Sequence, residues 1–569
     1  MRLLAHLLAA DLRRHRLLVA FWLLVVASTA ILDGVRPTLA TDPALRGMAA
    51  FLGSLLWLAE LLLRIVLVAL VVQTHPLVGS DAFWMTRPIP PPTLLASKLV
   101  LLGVLTVVAP AFAKAALMAA HGVPPALIGE VAVETALFQT FWLVVLMTAA
   151  SLTSNLTRFA LLCGGALVAL ALVVTATAAI MFAQIDDGPR DAGGAGTEEP
   201  TATIVLTIVA VVAGVALLAV QYRTRSRIRS VPVGAAGLIL AFLVSEAWPW
   251  PILAPKVDVP AWATRESALR LIALGETVEV NEEMPMFSAR TAWRSARAQL
   301  RLAGVEPGWT ADVGVVDATL QLDGGIRLAS AASAYPVPVP IGDEEHPTRG
   351  VVRHLLRAQR VVDSAPPRAE SAILFFLRDA EFSRLAPATG TYRGRFHVRL
   401  SRHDIEARLP LRPGATHHRG AYRLVIDDVE HTSGSVSILA RESDATSIFD
   451  RRPAPRFDFY LRNERSGDAV LGAGQPLGEE FVFGRFLPFS IGGSVQTSGF
   501  RARGLVIRFP PGYGVEGASL SIEDDWVEGA ELVVVRATRE GSVERTLDIA
   551  GFPLRARTRP TALPEPAGR

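Results

Sequence analysis

The pattern of the chain changes near residue 250. Before that point, long uncharged apolar runs are separated by short polar stretches. After it, apolar and polar residues alternate one by one. Residues 1–16 place Leu3, Leu4, Leu7, Leu8 and Leu12 on one helical face and end among Asp11, Arg13, Arg14 and Arg16. That pattern predicts an amphipathic helix lying along a membrane surface. Apolar runs follow at 17–32, 48–72, 94–120, 131–152, 159–182, 203–222 and 231–247. They predict a transmembrane domain over 17–250, a bundle of six or seven helices. The first run is short, but its amphipathic lead-in and the later runs favour a retained helix over a cleaved signal.

The second half reads as mainly β. Phe396, Val398 and Leu400 alternate with Arg395, His397, Arg399 and Ser401. Similar runs occur at Ala421–Ile426, Ser435–Ala440, Phe457–Leu461, Gly504–Phe509 and Glu531–Ala537, with weaker ones at Ala298–Leu302, Ala311–Leu322 and Ala372–Leu377. Evenly spaced turn residues between them predict β-sandwich-like modules rather than βαβ units. The expected division is 252–385 and 386–556, with a proline-rich disordered tail at 557–569.

Charge orients the helices. Residues 1–250 carry 16 basic and 13 acidic side chains, and the remainder carries 40 of each. With the N-terminus inside, Arg2, Arg13, Arg14, Arg16, Arg87, Lys98, Arg158, Arg223, Arg225, Arg227 and Arg229 face the cytoplasm. Only Arg36, Arg46 and Arg190 then lie outside. The positive-inside rule selects that orientation. Trp248 and Trp250 stand at the outer end of the last run, at headgroup level. The β region is then extracytoplasmic, which in an inner-membrane protein means periplasmic.

Composition narrows the chemistry. The neutral second half offers no surface for nucleic acid. Cys163 is the one cysteine, so the chain has no internal disulfide and no thiolate zinc site. No G-x-x-x-x-G-K-[ST], H-E-x-x-H, C-x-x-C or G-x-S-x-G occurs, and no catalytic residue, metal site or cofactor is assigned. His417-His418 lacks a third ligand in sequence, and Asp343, Glu344, Glu345 and His346 read as a solvated turn.

Four charged residues interrupt the apolar runs. Glu60 and Arg64 are four apart, a spacing that lets them pair on one helical face. Lys114 and Glu134 fall at comparable depth in neighbouring runs and are placed to pair across a short loop. A charge at the centre of a span costs about 2.5–3.5 kcal/mol on insertion scales. Such residues either line a polar path or neutralise one another to hold helices together.

The stretch Gln73–Leu99 separates the second and third runs and is polar and proline-rich. Arg87, Pro88, Ile89, Pro90, Pro91, Pro92, Thr93, Leu94, Leu95, Ala96, Ser97, Lys98 and Leu99 resemble the motif that ABC-2 type permeases carry before their third membrane helix. That motif runs Leu-Pro-aliphatic-Ser, three basic residues, Leu-Leu-x-Gly-Lys-Leu. The proline, the aliphatic residue, Leu-Leu and Lys-Leu match; prolines replace the serine and the basic residues. The resemblance covers about residues 1–230. It implies a membrane subunit of an exporter, dimeric or paired with a second permease, and driven by a separate cytoplasmic P-loop ATPase. It also implies that this loop docks on the ATPase, through Asp81, Phe83, Trp84, Arg87, Pro88, Leu94, Leu95 and Lys98. Phe83 and Trp84 supply an apolar knob of the kind that fills a partner's groove. The other reading is a membrane-anchored β-sandwich protein for binding, envelope contact or sensing.

Overall fold

The computed structural model describes residues 2–39, 42–74, 90–153, 155–165, 200–224, 232–237, 239–240, 243, 259–265, 269–283, 293–331, 337–339, 349–362, 372–378, 384–385, 388–432, 434–446, 455–477, 499–509, 512–513, 519–520 and 522–553. The expected disordered tail lies outside these residues.

Helix α1 (Arg2–Arg14) is the amphipathic segment; its buried side chains are Leu7 and Asp11. The backbone turns at His15, whose N–H donates to Asp11 O at 3.0 Å, and α2 (Arg16–Leu39) follows. Next come α3 (Pro43–Gln73), α4 (Pro91–Gly103), α5 (Ala109–Ala120), α6 (Pro125–Leu152), the short α7 (Leu156–Gly165) and α8 (Pro200–Thr224). Among the described residues, 5 helical stretches are long and apolar enough to cross a membrane: Arg16–Leu39, Leu45–Gln73, Pro91–Ala120, Pro125–Leu152 and Leu206–Thr224. Of the expected run 159–182, only residues up to 165 are described; of 231–247, only 232–237, 239–240 and 243 are.

Two helices differ from the pattern-based expectation. The first run was expected to end at Leu32, yet α2 continues to Leu39 through Asp33, Arg36 and Pro37. Polar residues at the end of an apolar helix mark where it reaches the interface rather than where it stops. The third run has a π-helical turn, Val104–Val108, between α4 and α5. Pro110 explains it. Proline donates no hydrogen bond and crowds the carbonyl four residues back, and the widened turn accommodates both defects. The indole of Trp22 donates to the Leu105 carbonyl within that turn at 3.0 Å.

The β region holds a 3-stranded sheet and a 12-stranded sheet. The smaller is antiparallel in the order β1-β2-β7, from β1 (Arg270–Glu283), β2 (Trp293–Ala303) and β7 (Ala372–Arg378). The larger begins with β3 (Trp309–Leu322), β4 (Arg327–Ala331), β5 (Val337–Pro338) and β6 (Arg360–Val362). Its two longest strands are β8 (Thr389–Pro410) and β17 (Ala530–Pro553). Between them in sequence lie β9 (Thr416–Arg419), β10 (Tyr422–Thr432), β11 (Ser435–Thr446), β12 (Arg456–Asn463), β13 (Asp468–Pro476) and β14 (Gly499–Phe509). A small pair, β15 (Gly512–Tyr513) and β16 (Ser519–Leu520), stands apart. The order across the large sheet is β4-β3-β8-β17-β12-β13-β14-β11-β10-β9.

Two larger hydrophobic cores result. In the first, the three-stranded sheet packs on β3, the first half of β8 and the last half of β17, through Leu300, Phe375, Phe396, Leu400 and Phe552. In the second, the sheet curls so that β8, β10, β11, β12, β14 and β17 turn Leu409, Leu424, Ile438, Leu461, Ile507 and Leu532 toward one another. The curl brings β9 back to β8, where His417 Nε2 meets Glu406 Oε1 at 3.2 Å. Glu406 is the extra residue of a β-bulge: Val534 faces Ala407 and Val535 faces Ile405. A bulge re-aims a side chain, and this one turns the carboxylate inward. β8 and β17 run through both cores, and a boundary at 385/386 falls before β8, whose first half belongs to the first core.

The helix ends fall into two sets. Thr38 of α2 and the α5–α6 turn meet the β region. Arg441 donates to Thr38 Oγ1 at 3.2 Å. Met118, Val123, Val131 and Ala445 form a buried apolar contact, flanked by Leu127, Ile128, Ala421 and Phe500. The His121 ring lies 4.9 Å from that of Phe500. Gly122 adopts φ +79°, and a Cβ there would sit 3.5 Å from the His418 ring. A side chain at Gly122 would therefore be strained by the backbone conformation, although the His418 ring would leave room for its Cβ. The opposite ends of α3, α6 and α8 gather with α1.

Burial, and then Arg423 and Arg441, hold His121 below the ordinary histidine value of 6.5. A separated His121 takes up a proton that the docked one resists. The contribution of this junction is therefore complete above the ordinary value and falls as pH drops below it. Thermal unfolding between about pH 7.5 and about pH 5 should show a declining midpoint, with a shallower decline in His121→Asn. An unchanged slope in the variant would remove His121 from the account.

Candidate functional site

The loop expected to dock on a partner falls mostly outside the described residues. Asp81, Phe83, Trp84, Arg87 and Pro88 all lie in 75–89. Its base is well defined. Pro90 precedes α4 in an extended conformation, and Pro91 and Pro92 occupy the first helical positions, where a missing N–H costs nothing. Thr93 N–H and Leu94 N–H both donate to Pro90 O.

Leu94, Leu95 and Lys98 point into the bundle. Leu94 is 1% exposed and packs with Val68, Val71 and Val72 of α3; Leu95 joins the same core. Lys98 is 0% exposed, and its Nζ donates to Asp11 Oδ2 at 2.7 Å. These three side chains were expected among the docking residues. Their positions are instead taken up inside the chain, because α1 and α3 cover the face of α4 on which they lie.

Polar contacts tie the other helix ends together around this base. His15 Nε2 lies 3.2 Å from Thr74 Oγ1. Gln73 Nε2 donates to Thr153 Oγ1 at 3.1 Å, and Gln221 Nε2 donates to Ser151 O at 2.9 Å. The flanks of the loop are therefore fixed to α1, to the α1–α2 turn and to the end of α6, which in turn holds α8. Motion of the loop would act on all of them.

Within the apolar helices, Arg64 and Glu60 form the expected pair, with Nη2 to Oε1 at 2.8 Å. Arg64 is 8% exposed. It also donates through Nη1 to Gln139 Oε1 of α6, and its guanidinium carbon lies 5.5 Å from the Trp22 ring centre. The sequence spacing showed Glu60 but neither Gln139 nor Trp22, which come from other helices. Lys114 and Glu134 are half-buried on the adjoining helices α5 and α6, and neither is without an interaction. Asp33 of α2 lies in the fields of Arg36, Lys114 and Glu60. Charge is thus distributed across α2, α3, α5 and α6. It can hold a helix arrangement, or line a path once that arrangement opens.

No catalytic constellation is assembled by these residues. Among the described residues, no group of three or more His, Cys, Asp or Glu side chains is placed to hold a metal ion. The tandem His417-His418 diverges, one ring toward Glu406 and the other toward Gly122.

Breaking the Lys98–Asp11 pair tests its weight. Lys98→Met leaves Asp11 uncompensated and should cost about 3–5 kcal/mol, whereas the double variant Lys98→Met with Asp11→Leu should recover most of that loss. Thermal unfolding of the four proteins in detergent closes the double-mutant cycle. Additive losses would show that the two charges act separately.

No protein-family model, curated protein or solved structure matches the chain.

Proposed function

We propose that the chain is the membrane subunit of an ABC-2 type exporter, with 73–99 as the docking loop for a separate cytoplasmic P-loop ATPase. The observation that carries this reading is the construction around the loop. A surface-type helix, α1, is locked to the start of α4 by a buried ion pair, and polar contacts bind His15 and Thr153 to the end of α3 at the loop's other flank. A loop held this way is suited to pass a push from a partner into several helices at once. The motif that ends in Leu94, Leu95 and Lys98 supports the same reading, with Lys98 acting as a positioning residue rather than a contact.

The finer arrangement belongs to the proposal. Seven spans with the N-terminus inside put Arg13, Arg14, Arg16 and Arg223 on the cytoplasmic side of the inner membrane and the β region in the periplasm as two joined β modules. The junction of the β region with the α5–α6 turn and Thr38, at the bundle end away from α1, agrees with that orientation. Two copies, or a copy and a second permease, would complete the translocation unit. Glu60, Arg64, Lys114 and Glu134 would be the polar residues met by a substrate. The second reading, a membrane-anchored binding protein, is favoured by the size and internal packing of the β region.

Purification from the native membrane separates the readings. The exporter reading expects a co-purifying P-loop ATPase whose hydrolysis rate changes when this subunit is added. Trp84→Ala and Arg87→Glu should each abolish most of that change without lowering the thermal stability of the bundle. Hydrolysis indifferent to both substitutions would sink the docking assignment. Absence of any ATPase would favour the anchored binding protein.

A further inference from the structure

One face of the large sheet carries a group of side chains that neither core uses. Where β8 passes from the first core toward the second, His397, Arg399, Ser401 and His403 share the face opposite Val398 and Leu400. Across the ladder, Thr310 and Asp312 of β3 stand opposite Ser401 and Arg399. Arg539 of β17 stands opposite Ser401 on the other side, and Ala537 opposite His403. Arg456 of β12 pairs with Ala537. The same face continues into a small apolar cluster of Ile405, Val533, Val535 and Tyr460, covered by the helix Arg349–Leu356.

The electrostatics of this face are unbalanced. Arg399 and Arg539 are half-buried, and neither forms an ion pair or hydrogen bond with another described residue. They share the field of one carboxylate, Asp312, to which Arg456 also contributes. Burial and the repulsion of Arg399 both weaken the hold of Arg539 on its proton. Arg456 is itself engaged with Asp458 at 3.0 Å. His403 is 4% exposed; its Nε2 meets Thr310 Oγ1 at 2.8 Å, while its buried Nδ1 has no partner among the described residues. Two half-buried cations that share a single carboxylate, next to Ser401, Thr310 and a buried imidazole nitrogen without a partner among the described residues, form an unfinished set of donors. Guanidinium groups complete such a set with the oxygens of a phosphate or similar oxyanion.

We infer that Arg399 and Arg539, with Ser401 facing Arg539 across the ladder, form a binding site for a phosphate group, either free or borne on a larger molecule. The site does not depend on the exporter reading. Asp312 is its internal competitor: a carboxylate beside the same guanidinium groups opposes an incoming anion. Burial raises the Asp312 carboxyl above its ordinary range, with Arg456, Arg399 and Arg539 opposing the rise. Neutralising Asp312 therefore removes the competitor.

Calorimetric titration of the full chain with inorganic phosphate, in a neutral maltoside detergent, tests the site. Saturable binding that weakens with added salt is expected. Arg399→Ala and Arg539→Ala should each weaken it by about tenfold. Asp312→Asn should tighten it, an outcome that a merely structural role for the face would not produce. Arg393→Ala, which removes an exposed arginine of β8 paired with Asp548 of β17, should leave it unchanged. Hydrogen exchange on the unmodified chain gives a second reading if a variant misfolds: phosphate should slow exchange at 397–403 and 537–541. Titration with a short-chain phosphatidic acid identifies the source. Tighter binding than inorganic phosphate points to a lipid-borne group, and equal or weaker binding to the free anion. Absence of saturable binding by both ligands, or affinities indifferent to both arginine substitutions, overturns the proposal.

Discussion

Lys98 and Asp11 are removed from water together, and the first half of the molecule depends on that pair. Either charge alone, buried among Leu94, Leu102 and Tyr222, would be too costly to keep. The pair fixes where α1 lies along α4, and α1 in turn leads through His15 into α2. The amphipathic helix is thus a fixed part of the bundle wall. The Glu60–Arg64 pair follows the same physics deeper in the helices, where Gln139 and the face of Trp22 satisfy what the carboxylate leaves over.

The second constraint is the seam between bundle and β region. It combines an apolar contact around Met118 and Val123 with a tilted ring contact at His121 and a hydrogen bond at Thr38. Apolar packing supplies most of the attraction at such a seam; polar contacts set the register. The β region is therefore seated on the helices through contacts beyond the chain connection alone. Whatever the helices do at that end, strands β10, β11 and β14 meet first.

Much of this was legible in the sequence. Apolar runs marked the helices because a membrane-length helix has few other ways to look. Their ends were less clear: Asp33, Arg36 and Pro37 read as a loop, yet they finish α2. Single alternation marked β8 only around Phe396, Val398 and Leu400. The strand is far longer, Thr389–Pro410: Gly390 and Gly394 fill inward positions before Phe396 without an apolar side chain to mark them, and the bulge at Glu406 breaks the pattern after Leu400. The i,i+4 spacing of Glu60 and Arg64 was sufficient to show their pairing. Lys98 was read as facing a partner, since its acid lies 87 residues away in a segment that looked merely interfacial. Arg399 read only as a polar position of an alternating strand, and nothing linked it to Arg539, because β8 and β17 become neighbours only in three dimensions.

The pairing of β8 with β17 also governs how the β region can form. Thr389–Pro410 has β3 on one edge early, but finds its partner on the other only when Ala530–Pro553 has been made, with β9–β16 in between. Closing so long a loop costs entropy before any strand contact repays it, so such topologies fold slowly. Until then the second core lacks a wall and β8 shows an open edge. Loss of the last strand would therefore open both cores at once, however complete the rest of the sheet had become.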